Sequence, residues 1–346
     1  MKGEGVNLIV LSTVVALGLS MYLGRMQAAV TLPPESKPLK RHFYKKLNTC
    51  DNVEPYVRHQ VQLWWNRDKS ITAKLLKLLY ADCMVNGCDA SILLDGPHTE
   101  KNASQNLWLD GFVLIDKIKT VLEARCPRAV SCADILNLAV RDAVHFAGAP
   151  SYPVFLGRRD GLDSNAASVD LPLPSVSFDQ GLAYFKSKGL DVVDYATLLG
   201  AHTMGKTHCT YIHDRLYNFN NTGKPDPTMS KSELNKLRQQ CPQTLKQGQK
   251  DPTVFLTDKD GPQYNFTNTY YSNVLSHNSV LKVDQNLLND INSTQIVQEY
   301  AANKEQFRRE FAFSISRMGG LKVLTGKQGE IRLNCRVINK NNPNIK

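Results

Sequence analysis

The sequence predicts a mostly α-helical fold held by disulfides. Three observations carry that expectation. Apolar residues recur at helical spacing along most of the chain, as at Ile71, Leu75, Leu78 and Leu79, which stand at i, i+4, i+7 and i+8. Strand signals are few and short, Pro153–Leu156 being one example. Eight cysteines (Cys50, Cys83, Cys88, Cys126, Cys132, Cys209, Cys241 and Cys335) make an even number, which an oxidising compartment would join as four disulfides. The chain has no CxxC pair of the kind that zinc sites use. Spacing alone does not choose among the possible pairings.

The elements follow in order. Met1-Lys2 precedes an apolar stretch from Val6 to Leu23, and the small residues Ala28 and Ala29 come soon after. At about 18 residues the stretch lies between a signal-peptide core and a membrane span. Residues 1–29 read as a cleaved signal peptide, with a retained signal anchor as the alternative. Either way the body of the chain lies outside the cytosol. Residues 30–38 are a Pro-rich leader. Helical patterns then cover 50–67, 71–83, 111–125, 131–147, 178–188, 191–199, 230–240, 267–277 and 304–318. The stretches 157–176 and 242–266 read as long connections, which in compact domains are often functional. Sequons at Asn102, Asn220, Asn265 and Asn292 suit a secreted glycoprotein.

The chain has 346 residues and is 42% hydrophobic, enough for a sizeable core. Its net charge of +10 comes from 42 Lys and Arg against 32 Asp and Glu. The basic residues are scattered, which argues against nucleic acid and leaves an acidic polysaccharide as a candidate neighbour.

Two stretches carry chemistry. Residues 82–91 read "DCMVNGCDAS" and offer alternating oxygen donors around a glycine turn: Asp82, Val85, Gly87, Asp89 and Ser91. That pattern suits a hard cation such as Ca²⁺, although it lacks the ending of an EF-hand, and an ordinary Asx-rich turn would look similar. Residues 198–209 read "LLGAHTMGKTHC" and set His202 at the end of an apolar helical run. His202 is a candidate iron ligand or a satisfied core histidine. An iron ligand needs an acceptor on its other nitrogen, and Asp284 in "LKVDQNLL" is a distant candidate.

The chain resembles the plant secretory (class III) haem peroxidases. "DCMVNGCDASILLD", "VSCADILNLAVRDAV", "LGRRDG", "LLGAHTMGKTHC", "DRLYNF" and "GEIRLNCRVIN" match that family's landmarks in order. The resemblance implies an all-α fold of two helical lobes sandwiching haem b, occupying residues 39–340. It implies the pairs Cys50–Cys126, Cys83–Cys88, Cys132–Cys335 and Cys209–Cys241. It also implies His202 as the proximal iron ligand with Asp284 as its partner. A calcium site maps onto Asp82, Val85, Gly87, Asp89 and Ser91, with Glu100 in support, and Pro172 falls near the reducing-substrate site. The implied reaction is oxidation of small phenolic donors by hydrogen peroxide, carried out by a secreted monomer in the cell wall.

The match breaks at the distal helix. Family members resemble "LRLHFHDCF" where this chain has residues 76–84, "LKLLYADCM". Lys77 stands at the arginine position and Ala81 at the histidine position, four residues apart and so on one helix face. Histidine there takes a proton from hydrogen peroxide and returns it to the leaving oxygen, which is worth about 10²–10⁴ in rate. Lysine keeps the arginine's charge but not its planar fork. Asn106 matches the residue that orients the missing histidine, and Tyr80 is a possible proton relay. A second calcium site is eroded: Thr203 and Asp258 remain, but Thr267 replaces an aspartate. The expectation is strongly impaired turnover, with a haem-binding pseudoenzyme or a wall-binding protein as alternatives.

Overall fold

The structure is a computed structural model that describes residues 39–245, 247–257 and 264–344. The expected signal peptide (residues 1–29) and the leader (residues 30–38) lie outside the described residues, as does Asp258. No helix among the described residues is long and apolar enough to cross a membrane.

The principal helices are α1 (Val53–Arg67), α2 (Ile71–Cys83), α3 (Phe112–Arg125), α4 (Cys132–Phe146), α5 (Phe178–Ser187), α6 (Val192–Leu199), α7 (Lys231–Gln240), α8 (Thr269–Leu275), α9 (Ile291–Ala302) and α10 (Lys304–Met318). Helices α1, α2 and α3 pack around α4, while α5, α9 and α10 pack against α6. Helix α4 is the centre of the first group, buried from Cys132 to Val144. Its start is set by Ser131, whose hydroxyl accepts from the Asp134 amide at 3.1 Å. Helices α5 and α6 begin with capping boxes, Ser177 with Gln180 and Asp191 with Asp194.

Two sequence readings need correction. Pro153–Leu156 is not a strand; it makes only a single bridge, Lys40 to Leu156. Among the described residues the strands are instead β1 (Lys206–His208) and β2 (Thr253–Phe255), paired antiparallel with Thr207 opposite Val254. Helix α9 is absent from the helical patterns of the sequence. Its first turn, Ile291-Asn292-Ser293-Thr294, is polar and β-branched, and its apolar stripe is reduced to Val297 and Tyr300.

The start of the 157–176 connection proves to be a buried seam. Arg158 pairs with Asp134 at 2.8 Å, and Asp134 also accepts from the Tyr44 hydroxyl at 2.6 Å and the Gly157 amide at 2.7 Å. Asp160 accepts from the amides of Ala133 and Arg332. The Arg332 guanidinium is fully buried and donates to the carbonyls of Ala90, Gly161 and Cys335. These ions join the C-terminal segment to α4 and to the loop after α2. Asp134→Ala would strand the Arg158 charge, and it is expected to destabilise the fold by about 3–5 kcal/mol. The check is the urea midpoint at unchanged m-value.

The bridges join Cys50 to Cys126, Cys83 to Cys88, Cys132 to Cys335 and Cys209 to Cys241, the pairs that the resemblance implies. All four sequon asparagines lie at the surface.

Candidate active site

Helix α2 turns one face toward a cavity of about 560 Å³. Ser70, Ala73, Lys74, Lys77, Tyr80 and Ala81 line it, at the spacing of one helix face. The other face carries Leu75, Leu78 and Leu79 into the core. Across the cavity, α6 ends in a tight turn over Gly200–Thr203 that presents His202. Gly200 permits that turn to pack closely. A Cβ there would come within 2.3 Å of the Tyr271 hydroxyl and 2.6 Å of Phe307.

His202 and Asp284, 82 residues apart in sequence, are brought together. The His202 Nδ1 lies 2.8 Å from Asp284 Oδ1. A carboxylate only accepts, so Nδ1 carries the proton and Nε2 keeps a free lone pair. Tyr270 donates its hydroxyl to the same carboxylate oxygen at 2.9 Å. Burial disfavours a charged His202, but the Asp284 carboxylate outweighs it and raises the pKa. Sequence reading finds both partners of this pair and misses Tyr270, whose place in "NTYYSNV" gives no local sign of its contact.

The family model for peroxidases matches residues 57–303. The chain is 62% identical over 316 residues to Probable peroxidase 61 of Arabidopsis thaliana, covering 91% of this chain and 93% of that protein. It is 56% identical over 331 residues to Probable peroxidase 26 of the same plant, covering 96% of this chain and 98% of that one. It is 43% identical over 310 residues to a peroxidase of Armoracia rusticana, covering 85% of this chain and 90% of that one. The chain belongs to the peroxidase family. Membership supports a peroxidase-type function, and the family implies haem, hydrogen peroxide and phenolic donors.

Against that peroxidase frame the distal side is bare. Ala81 offers only a methyl group. Desolvation by the surrounding walls lowers the Lys77 pKa, although the side chain keeps accessible surface, and it lines the cavity without an ion-pair partner among the described residues. Burial also raises the Tyr80 phenol well above its usual range, so it stays protonated at neutral pH and is a poor relay. Asn106 donates its Nδ2 to the Glu100 carbonyl at 2.9 Å, while its Oδ1 is buried with no donor. Pro172 lines the same cavity. Lys74 is occupied by Asp68 at 3.0 Å and Asp110 at 2.9 Å. Trp108 stacks on His208, with ring centroids 4.0 Å apart, and both line the cavity.

The loop after α2 gathers acidic oxygens. Asp82 and Glu100 are fully buried, as is Ser91. Asp82 accepts from the Ala90 amide at 3.0 Å and Asp89 from the Ser91 amide at 3.0 Å. Gly87 turns at φ +120°, a conformation that favours glycine. The Val85 carbonyl accepts from Lys188 Nζ at 3.2 Å and keeps a second lone pair. The Ser91 hydroxyl and both Glu100 carboxylate oxygens are buried without a partner. Burial and the neighbouring Asp89 and Glu100 push Asp82 well above the usual carboxylate range; burial pushes Glu100 up to about 7. Orphaned oxygens and suppressed ionisation are what a bound cation would relieve. Among the described residues no three His, Cys, Asp or Glu side chains form a ready cage, so carbonyl and hydroxyl oxygens would have to complete the shell.

The second calcium position looks different. The Thr203 hydroxyl lies 2.9 Å from that of Thr267, which bonds to Thr269 at 3.1 Å, and Thr257 donates to the Thr203 carbonyl at 3.0 Å. These hydroxyls satisfy one another.

Proposed function

We propose that this chain is a secreted haem-binding peroxidase homologue, with residues 39–340 as its domain and with strongly impaired peroxide turnover. The observation that carries the reading is that the distal face of α2 offers the cavity a methyl group, an ammonium and a protonated phenol, and no group that both accepts and returns a proton near neutral pH.

The cavity suits haem b. His202 Nε2 is the free lone pair that would hold the iron, and Asp284 with Tyr270 fixes the ring's tautomer and orientation. Phe185, Met204, Phe311 and Ile315 supply apolar lining for a flat macrocycle. Bound haem would supply the electron transfer between hydrogen peroxide and a phenolic donor. The chain's own contribution to that reaction is reduced to binding and orientation. Lys77 can attract negative charge on the departing oxygen but cannot grip it bidentately. Pro172 lies where a donor would approach. The buried, orphaned oxygens around Asp82 support one calcium ion, held by Asp82, Val85, Gly87, Asp89 and Ser91 with Glu100 behind. The hydroxyl network at Thr203 supports a weak or vacant second site. Four disulfides, the apolar stretch Val6–Leu23 and surface sequons support secretion and glycosylation, and the net charge of +10 supports contact with acidic cell-wall polysaccharide.

The test is haem retention. Purified protein is expected to carry a Soret band from a stoichiometric haem. Asp284→Asn is expected to weaken the hold about 10–100-fold, read as faster loss to a haem scavenger. His202→Ala should lose it further. A protein that never takes up haem would sink this reading in favour of a structural role.

A further inference from the structure

One of the carbonyls assigned to calcium already touches a cation. Lys188 follows the last residue of α5 and reaches back to the loop after α2. Its Nζ donates to the Val85 carbonyl at 3.2 Å and to Asp170 Oδ2 at 3.2 Å. The Tyr184 hydroxyl, one turn earlier on α5, lies 2.7 Å from the Met84 carbonyl and 3.0 Å from Asp170 Oδ1. The ammonium also stands 4.8 Å from the centre of the Tyr184 ring. Val85 is thus held from outside the loop by a charged group that packing fixes in place.

The two partners of this ion pair do not cancel at the loop. The Lys188 side chain is 10% exposed and that of Asp170 is 58% exposed. Water screens the carboxylate, while the ammonium acts from inside the protein. A carbonyl oxygen has two lone pairs, so Val85 can accept from Lys188 and still face a metal ion. The ammonium and the dication would then share one oxygen, and like charges at that range repel. We propose that Lys188 sets the calcium affinity of the loop after α2, lowering it through the charge held on the Val85 carbonyl. This rests on the calcium reading above and deepens it, because the residue lies outside the ligand set. Asp170, two residues before Pro172, moderates the effect from the solvent side.

The experiment is calorimetric titration of calcium chloride into the chelator-treated, haem-loaded protein at neutral pH and low salt. Lys188→Met is expected to bind one calcium ion about tenfold more tightly than the wild type, and added salt should narrow the gap. Lys188→Gln, which keeps a donor without the charge, should also bind more tightly, and Lys188→Arg should stay near the wild type. Asp170→Asn should bind about threefold more weakly. A lysine that only supports the fold would leave calcium binding unchanged or weaker when it is replaced. Equal or weaker binding by Lys188→Met and Lys188→Gln, with one ion still bound, therefore overturns this inference and leaves the calcium site standing. Binding in neither the wild type nor any variant overturns both. If melting curves show that the Lys188 variants do not fold, the exposed change Asp170→Asn decides, and unchanged or tighter binding there overturns the inference.

Discussion

The Ala81→His, Lys77→Arg double variant is expected to react with hydrogen peroxide about 10²–10⁴ times faster than the wild-type protein. Residues 77 and 81 share the cavity face of α2, so the new imidazole would project into the space that Ala81 leaves. Asn106 Oδ1, buried and without a donor, is the acceptor that would hold the ring's N–H and keep its other nitrogen bare for the proton of the peroxide. Arginine in place of Lys77 adds the planar fork that stabilises charge on the departing oxygen, a contribution of roughly 10–10³ taken alone. The two gains act on one step, so they need not multiply. Stopped-flow absorbance at the Soret band, with wild type and variant loaded equally with haem, reads the rate directly. A wild-type rate equal to the variant's would mean that water or another group already moves the proton, and the impaired reading would be abandoned.

Removing calcium at pH 8 is expected to lower Tm by at least about 5 °C, and the loss should shrink as the pH falls toward 5. Without a cation the loop after α2 holds the buried Asp82 and Glu100 near the half-buried Asp89, and all three have raised pKa values. For Glu100 the value is about 7 against an ordinary 4.5, which corresponds to roughly 3 kcal/mol. A carboxyl raised in the folded state contributes stability that is fully present below its unfolded pKa. That contribution is lost as the pH rises through the folded value. The calcium-free protein should therefore weaken between about pH 4.5 and 7 and stay weak above. Calcium should flatten that dependence, because its charge favours the ionised carboxylates. Melting curves with and without chelator across this range check both halves. A Tm indifferent to chelation at pH 8 would remove calcium from the loop.

Much of this architecture is legible locally. Helix α2 announces itself through Ile71, Leu75, Leu78 and Leu79, and the same periodicity puts Lys77 and Ala81 on another face. The pairing of His202 with Asp284 is not local at all. It depends on a turn after α6 meeting a short helix 82 residues later, and only the family landmarks point to it. Tyr270 stays hidden for the same reason, since a buried tyrosine beside Tyr271 reads as core. The partners of Lys74, Asp68 and Asp110, come from two different loops and give no local sign of that contact. Helix α9 fails the periodicity test because its polar first turn depends on Asp290 as a cap, through a bond from the Ser293 amide at 2.9 Å. The 157–176 stretch reads as a functional connection because it is long and loop-rich, whereas Asp134, Arg332 and the carbonyls around them make burial of the charges at its start tolerable.

The seam around Arg332 has a consequence for the order of synthesis. The Cys132–Cys335 bridge spans 203 residues, and Arg332 reaches back to a carbonyl 242 residues earlier. At about 5–20 residues per second, a ribosome needs on the order of 10–40 s to traverse that interval. During this time α4 and the loop after α2 have emerged without the guanidinium and the thiol that complete them. Cys132 waits as a free thiol and Asp160 keeps only the Ala133 amide, so this part of the domain is incomplete until residues 332–335 have been made.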